Sequence, residues 1–498
     1  MSRIACLFVP DFPLAVVLRG EPELRGEPMA VIDGPSPRAR ILAVSDAATR
    51  RGITAGLSAT QAQAICADLI LRPMAGDGAR AAQAALCDVA YSFSPRVETD
   101  DAGVVYLDVA GSGALFESEG QLAHMLAVRA ERVGLPAHVG VAGSKIAAQL
   151  AARHGGGATV IPANEEGFYL APLAVSLLCP SSALASTLTR WGIRTIGQLA
   201  ALPASAVGTR LGPEGLVLAR RARGEDEQPL VPRPAPLQFE ESVEVDYGIE
   251  LLEPLLFVLR GLLERLTARL AVRGLVCGGL RLALGLTTRA RDDRTVMVTP
   301  CNDVKVLLTL LRLHLEAQPP AAPIATVRLS AVPECLRALQ LDLFHPNGPA
   351  PEQLAVTLAR LTVLCGADHV GTPAVVDSHR PEAYQVVRSL GCWGARQKQS
   401  GNLTTDNPTT NNLLPLALRA IRPPRPLEVH TDRGRLDFIR GERISGRVVS
   451  CAGPWRVAGE WWHDGAYARD YYDVQLSDGG VYRLFHERQH WFVAGEYD

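Results

Sequence analysis

The chain contains very little lysine. Lysine occurs only at positions 145, 305 and 398 of the 498 residues, although lysine and arginine together number 50. The basic side chains are therefore almost all guanidinium groups, which suit planar contacts to phosphate. The codon bias of a GC-rich genome explains the arginine excess equally well, and the formal net charge of −2 does not by itself indicate nucleic-acid binding.

Long apolar runs and paired cysteines are also missing. No run of about 18 apolar residues occurs, and the N-terminus lacks a basic stretch followed by an apolar one, so we expect neither a membrane span nor a signal peptide. The ten cysteines are scattered and form no CxxC pair. This spacing argues against a zinc site and against a disulfide scaffold. We therefore expect no metal, no cofactor and a cytoplasmic location.

Apolar periodicity divides the first 335 residues into three parts. Residues 1–165 alternate strand-like and helix-like segments, which predicts an α/β domain. Residues 166–230 read as all-helical. Residues 237–335 read as strand, helix, strand, strand, helix, strand, which predicts a small α+β domain. The main predicted strands are Ile4–Val9, Met29–Ile32, Ile41–Val44, Val104–Val109, His138–Val141, Leu280–Leu286, Thr295–Val298 and Ile324–Val332, and the longest predicted helix is Leu251–Arg273.

The rest of the chain changes composition twice. Residues 336–394 form a connecting region rich in proline near its start. Residues 395–423, which include GNLTTDNPTTNN, are low in apolar side chains and predict a flexible linker. Residues 424–498 are rich in aromatic and strand-forming residues, so we expect a C-terminal β-rich unit that binds partners.

Five segments together resemble a known family. They are RIACLFVPDFPLAVVL at 3–18, ILAVSDAATRRGITAG at 41–56, VETDDAGVVYLDV at 97–109, HVGVAGSKIAAQLAAR at 138–153 and WGIRTIGQLAAL at 191–202. In order and spacing they resemble the Y-family (DinB/UmuC-like) translesion DNA polymerases. The resemblance implies a palm with fingers at 1–165 (the fingers at about 20–75), a helix-hairpin-helix-like thumb at 166–230 and a little finger at 237–335.

The family's catalytic acids are missing from the matching positions. The resemblance implies acids at strand ends that hold two Mg²⁺ ions, because this hard cation takes oxygen ligands. The first acid falls on Phe8 or Pro10, depending on the register, and an Asp-Glu pair falls on Gly103 and Val104. We therefore expect no catalytic residue. A shifted site built from Asp11, Asp101 and Asp108 is the alternative.

The expected substrate contacts have changed as well. The family places Tyr and Arg in the fingers helix, where this chain has Asp46 and Thr49. It also has a Lys after the helix that follows HVGV, where this chain reads AARHGGG. In the thumb, the turn Cys179–Ala183 contains no glycine, so we expect weaker backbone contacts to phosphate there, or a purely packing role.

Arginines in the expected little finger suggest DNA contact. Residues 251–300 contain eight arginines and four acids, a balance of 8 − 4 = +4. Of these arginines, Arg281, Arg289, Arg291 and Arg294 lie on or beside predicted strands. Contacts from them to the DNA backbone would be sequence-independent and sensitive to salt. A solvated charged face is the alternative.

Gln340-Leu341-Asp342-Leu343-Phe344 resembles the peptide by which bacterial polymerases bind the sliding clamp. In such a peptide Leu343 and Phe344 fill an apolar pocket and Gln340 provides amide hydrogen bonds. A short buried strand is the alternative, but the position directly after the little finger favours clamp binding.

His486-Glu-Arg-Gln-His490 matches the HExxH pattern of zinc proteases. That chemistry needs a helix and a further ligand downstream. Strand-like flanks and the lack of a convincing downstream ligand predict a hairpin turn instead.

The combined pattern is similar to a catalytically inactive branch of the Y family found in bacterial mutagenesis cassettes. The resemblance implies that the chain is no enzyme but an adaptor for translesion synthesis after SOS-type DNA damage. It implies four kinds of partner: DNA, the sliding clamp, an error-prone DnaE-type polymerase and a RecA-like accessory protein. The alternative is an active, divergent translesion polymerase.

Overall fold

The computed structural model describes three ranges of the chain. These are residues 2–335 apart from 35, 37, 101, 113, 114, 226, 227 and 235, scattered positions between 354 and 387, and residues 418–497 apart from 460, 461 and 463–465. The chain falls into two compact units, Met1–Leu364 and Cys365–Asp498. The clamp-like peptide at 340–344 and residues 395–417 of the expected linker lie outside the described residues.

The first part of unit one is an α/β arrangement, as the sequence predicts. Its elements are β1 Ile4–Phe8, α1 Phe12–Gly20, β2 Met29–Ile32, β3 Ile41–Val44, α2 Asp46–Thr49, α3 Ala59–Ile65, β4 Ile70–Pro73, α4 Gly76–Tyr91, β5 Val97–Thr99, β6 Val104–Asp108, α5 Glu119–Arg132, β7 His138–Ala142, α6 Lys145–His154 and β8 Ala158–Val160. The five strands predicted here are confirmed to within a residue, whereas β4, β5 and β8 are not among the predictions.

Two sheets organise these elements. The central sheet has the order β5-β6-β1-β7-β8, and a smaller sheet has the order β3-β2-β4. Side chains alternate across β1, so Ala5 and Leu7 join a core with α4 and α5. Cys6 lies on the other face with Tyr106 and α6. The central sheet is therefore covered by helices on both faces.

A helical segment follows. It contains α7 Glu166–Leu170, α8 Ser182–Arg190, α9 Ile196–Ala200 and α10 Ala204–Ala222. The helix α10 is kinked at Gly212, whose φ of 67° and ψ of −163° are not helical, and Pro213 follows. Proline removes a backbone N–H and fixes φ, which explains why the regular helix is interrupted there.

A four-stranded antiparallel sheet completes the well-described part of unit one. Its elements are β9 Phe239–Ile249, α11 Leu252–Val272, β10 Leu275–Leu286, β11 Arg291–Cys301, α12 Val304–Ala317 and β12 Ile324–Cys335, with the sheet order β11-β10-β12-β9. This confirms the predicted sequence of strands and helices. Leucines of α11 and α12 cover one face of the sheet, and the opposite face carries Arg281.

Unit two is β-rich, as expected. Its elements are β13 Thr372–Val375, β14 Tyr384–Val387, β15 Leu418–Asp432, β16 Arg435–Arg440, β17 Ser445–Gly459, β18 Tyr467–Leu476, β19 Val481–Glu487 and β20 His490–Tyr497. The last six strands close into a barrel. Because β15 begins at Leu418, the expected linker extends too far: its final residues, 418–423, belong to the barrel. None of the helices in the described ranges combines the length and apolar character needed to cross a membrane.

Candidate active site and nucleic-acid interface

The structure brings the expected acid positions together. Phe8 at the end of β1 lies directly opposite Val104 at the start of β6. The Val9 N–H donates to the carbonyl oxygen of Gly103 at 2.9 Å, and Pro10 begins the turn that follows. The expected acid positions thus lie close together, but Phe8, Pro10, Gly103 and Val104 all lack a carboxylate.

Gly103 closes one of these positions sterically. Its φ is +80°, a region that L side chains rarely adopt, and a Cβ added there would lie 2.9 Å from the side chain of Phe12. An aspartate at position 103 would therefore require both an unfavourable backbone conformation and displacement of Phe12. The packing around position 103 therefore disfavours any side chain there, including a carboxylate.

A cation occupies the space beside Phe8. The guanidinium carbon of Arg153 on α6 lies 4.7 Å from the centre of the Phe8 ring, a cation–π contact. On the same face, Lys145 donates to Glu98 at 2.7 Å and lies 5.0 Å from the centre of the Tyr106 ring. The described residues beside Phe8 thus provide a guanidinium and a Lys145–Glu98 ion pair, rather than the several free carboxylates that a pair of Mg²⁺ ions needs.

Glu98 is held by two donors. One oxygen accepts from Lys145, and the other accepts from the Val231 N–H at 2.7 Å. Both partners in the ion pair are largely buried, with 9% and 13% of the side chains exposed. Glu98 and Lys145 stand in two of the segments that carry the family resemblance, but only the fold reveals their pairing.

Asp11 and Asp108, the two described acids of the alternative shifted site, are not gathered at one point. Asp108 lies opposite Ile4, four residues along β1 from Phe8, which is about 13 Å at the rise of a strand. Arg96 binds its carboxylate at 2.7 Å. Asp11 precedes α1 in a left-handed conformation with no side-chain capping bond, and Asp101 lies outside the described residues.

The HExxH pattern forms a hairpin, as predicted. His486 and His490 lie on the neighbouring antiparallel strands β19 and β20, and the turn residues Arg488 and Gln489 both have positive φ. The His486 ring lies 4.9 Å from that of Trp491. Within the described ranges, no group of three or more His, Cys, Asp or Glu side chains could hold a metal ion.

Asp46 and Thr49 stand where the family resemblance places a Tyr and an Arg that contact the substrate. Both residues are polar, and neither is a cation. Asp46 is exposed at the start of α2, where the Ser45 side chain caps the helix. Thr49 donates back to the Ser45 carbonyl oxygen at 3.1 Å. A carboxylate at this point would repel a triphosphate.

The glycine-free turn of the helical segment already has an anionic partner. Cys179 has a φ of 51°, and Ser181 caps α8. The Ser181 N–H and hydroxyl each donate to Glu214 at 2.9 Å. Glu214 directly follows the kink in α10, so the kink places its carboxylate against the Ser181 N–H. Because this N–H already donates to a carboxylate, it agrees with the weak phosphate contact expected for the turn.

Most arginines of residues 251–300 have acidic partners. Six pair: Arg260 with Glu264, Arg265 and Arg269 with Glu241, Arg273 with Asp88, Arg291 with Asp293, and Arg294 with Asp292. The excess of arginines over acids that the sequence shows for residues 251–300 therefore overstates the positive charge that this surface can offer to DNA.

The four arginines expected to contact DNA differ in their surroundings. Arg281 is exposed on the open face of β10, and Arg289 is exposed at the β10–β11 turn, where its φ is 65°. No acid of the described residues forms an ion pair with either. Arg291 is 65% exposed beside Asp293. Arg294 is only 6% exposed and also donates to the Gln318 carbonyl oxygen, so its guanidinium is not free for phosphate.

A buried ion network joins the four-stranded sheet to helices of the central sheet. Arg19 on α1 donates to both oxygens of Glu241 on β9, at 2.7 and 2.8 Å. Arg269 on α11 contacts Glu241 at 3.1 Å and Asp88 on α4 at 2.8 Å. These four side chains are between 1% and 6% exposed. A charge cluster at such depth fixes how the two sheets meet.

The pKa values of the two acids in this network, Glu241 and Asp88, shift in opposite directions. Burial acts to raise the pKa of Glu241, but the charges of Arg19, Arg269 and Arg265 outweigh it and lower the pKa from 4.5 to about 2. For Asp88, burial outweighs Arg269 and Arg273, and its pKa is raised. Glu241 is thus the better stabilised anion. Nothing in the local sequence predicts this network, because its members are far apart along the chain.

Comparisons with known proteins agree with these motifs. Residues 7–153 match the impB/mucB/samB family model. Protein ImuB of Caulobacter vibrioides (strain NA1000 / CB15N) is 28% identical over 452 residues, which cover 88% of this chain and 96% of that protein. DNA polymerase IV of Dehalococcoides mccartyi (strain CBDB1) is 31% identical over 234 residues, 46% of this chain and 60% of the relative.

Among solved structures, the match to an insertion ternary complex of Dbh DNA polymerase covers 66% of this chain and 98% of the Dbh chain, with 19% sequence identity and a TM-score of 0.42. The family match, together with the sheets and helices described above, confirms the expected multidomain α/β and α+β fold with a C-terminal β-rich extension. Residues 7–153 therefore match the impB/mucB/samB family model, and the chain is similar to Protein ImuB along most of its length.

Proposed function

We propose that this chain is a non-catalytic adaptor of translesion DNA synthesis. It binds the sliding clamp and DNA, and recruits an error-prone DnaE-type polymerase and an ImuA-type, RecA-like accessory protein to damaged DNA. In this way it supports DNA-damage-induced mutagenesis. The observation that carries the proposal is the apolar pair at the end of β1 and the start of β6, where Phe8 lies opposite Val104 and Gly103 leaves no room for a side chain.

The domain names follow from this proposal. Residues 1–165 correspond to a palm and fingers, 166–230 to a thumb and 237–335 to a little finger. The open face of the four-stranded sheet, with Arg281 and Arg289, is the part that would follow the DNA backbone. Similarity to ImuB supports this assignment, because it extends over both compact units.

Clamp binding is assigned to Gln340–Phe344. Leu341 would align an extended peptide in the clamp groove, Leu343 and Phe344 would fill its apolar pocket, and Asp342 would point to solvent. Partner polymerase and accessory protein are assigned to surfaces within 345–498, where the barrel offers a folded platform.

A second function is an active, divergent translesion polymerase. It is favoured by the 31% identity to a DNA polymerase IV. A primer-extension assay separates the two functions. The adaptor should extend no primer with Mg²⁺ or Mn²⁺, whereas robust extension that is abolished by Asp101→Ala or Asp108→Ala would establish the polymerase.

A further inference from the structure

The barrel wall of unit two has a long strand edge without a neighbour. The strand β16 pairs with β17 only at Ser445–Arg447. From Val448 to Gly459, β17 pairs with β18 on one side, and no strand of the described residues pairs with its other side. Val449 on this edge is 66% exposed. Pro454 has no N–H, and the register against β18 shifts between Ala452 and Trp455, so the regular part of this edge is Trp455–Gly459. Its unpaired N–H and C=O groups can bind another extended chain.

An apolar cavity lies next to this edge. It has a volume of about 300 Å³, and its walls include Leu418, Arg422, Trp455, Val457, Tyr471 and Phe485. Trp455 lies opposite Tyr471, Tyr471 opposite Phe485, and Phe485 opposite Phe492. The rings of Tyr471 and Phe485 are 5.4 Å apart. At the open end of this aromatic row, Trp455 is 47% exposed, so the cavity can receive an apolar side chain.

Two of the strands that border the cavity, β15 and β17, have more arginines than acids on the stretches beside it. Residues 418–427 contain three arginines and no acid, and residues 445–459 contain two arginines and no acid. Arg425 and Arg456 have acidic partners, Glu442 at 3.7 Å and Asp470 at 2.8 Å. Arg456 is nevertheless 74% exposed, and a guanidinium has more N–H donors than Asp470 can accept. An acidic chain is therefore the complementary occupant.

The alternation of β17 specifies the occupant further. Trp455 and Val457 line the cavity, so Arg456 between them points to the opposite face. A strand added to this edge continues the same alternation. Its residues beside Trp455 and Val457 would be apolar, and its residue beside Arg456 would be acidic.

We propose that the outer edge of β17 binds an extended partner segment in which apolar and acidic residues alternate, by strand addition. The proposal rests on the partner-recruiting function of unit two and names the kind of segment that the recruited protein presents. Backbone pairing would supply affinity, and the cavity and Arg456 would supply specificity.

A charge-swap experiment with the full chain tests the proposal. The probes are a fluorescent ten-residue peptide of alternating valine and glutamate, a second peptide of alternating valine and lysine, and a single-stranded oligothymidine, each measured by anisotropy. The wild-type protein should bind the glutamate peptide and not the lysine peptide. Arg456→Glu should weaken binding of the glutamate peptide by about tenfold or more, and should allow the lysine peptide to bind.

Two further variants keep the result interpretable. Trp455→Ala should weaken binding of the glutamate peptide, while the chain still prefers the glutamate peptide to the lysine peptide. Arg488→Glu, in the exposed β19–β20 turn, has the same charge change away from the edge and should bind like wild type. The proposal would be overturned if the wild-type chain bound both peptides equally or bound neither. It would also be overturned if the oligonucleotide displaced the glutamate peptide, or if the chain associated with itself through this edge and lost that association in Arg456→Glu.

Failure here is distinguishable from failure of the adaptor function. If the polymerase partner is retained by the wild-type chain and equally by Arg456→Glu and Trp455→Ala, recruitment stands and this edge is not its site.

Discussion

Phe8 and Val104 face each other across β1 and β6, at the point where the family resemblance places metal-binding acids. Both side chains are apolar, and Gly103 beside them cannot accept a Cβ without meeting Phe12. The paired strand ends are present, and the residues at these positions provide no carboxylate. The proposed adaptor function predicts this combination.

Gly103 gives the first prediction. Gly103→Ala should destabilise unit one, because it combines a positive φ with a clash against Phe12. Gly111→Ala is the matched control, since Gly111 has almost the same φ of +79° and nothing within 4 Å of an added Cβ. We expect Gly103→Ala to cost about 1–3 kcal/mol more than the control in urea unfolding, the range for overpacking. Equal costs would show that Phe12 moves aside freely.

Glu241 gives the second prediction. Glu241→Gln leaves Arg19, Arg265 and Arg269 without their shared anion in a buried site, and should destabilise the chain by about 3–5 kcal/mol. The neighbouring Glu240 is 50% exposed and contacts Arg328 at 3.4 Å, so Glu240→Gln should cost less than about 1 kcal/mol. Chemical denaturation of both variants checks this. Similar losses would mean that the buried network contributes no more than a surface pair.

The same carboxylate predicts a dependence on pH. Its pKa is lowered on folding, from 4.5 to about 2. Its contribution is therefore fully present above pH 4.5 and is lost as the pH falls toward 2. The difference in unfolding free energy between wild type and Glu241→Gln should shrink across this window. A difference that stays constant down to pH 2 would contradict the low pKa.

The exposed arginines give a prediction about DNA. Arg281→Ala and Arg289→Ala should each weaken binding to DNA of any sequence and reduce the slope of log K against log salt by about 0.9. Arg260→Ala is the control, because Arg260 pairs with Glu264 on the surface of α11. Titrations at several salt concentrations measure the slopes. Loss of affinity without a change of slope would exclude phosphate contact by these residues.

The clamp-like peptide Gln340–Phe344 gives a prediction about partner binding. Replacing Gln340, Leu343 and Phe344 together with alanine should abolish retention of the chain by immobilised sliding clamp. Asp342→Ala is the control and should bind like wild type, since Asp342 is expected to face solvent. Unchanged retention of the triple variant would move the clamp site elsewhere.

The sequence predicts local features well and distant pairings poorly. The strands β1, β2 and β3 and the helix α11 are predicted within one or two residues, because their apolar periodicity is regular. The lack of acids at Phe8, Gly103 and Val104 is also readable from the sequence, once the family resemblance indicates which positions to compare. Arg19 and Glu241, however, are 222 residues apart, and no local pattern connects them. The positive charge expected around Arg294 is likewise cancelled by partners that only the fold shows.

Primer extension tests the central claim most directly. The full chain, given an undamaged primer-template, all four nucleotides and either Mg²⁺ or Mn²⁺, should leave the primer at its original length, while a DNA polymerase IV in parallel extends it. The chain has the strand pairing of an acid site without its acids. Extension by the wild-type chain that disappears in Asp108→Ala would contradict the account and establish an active polymerase.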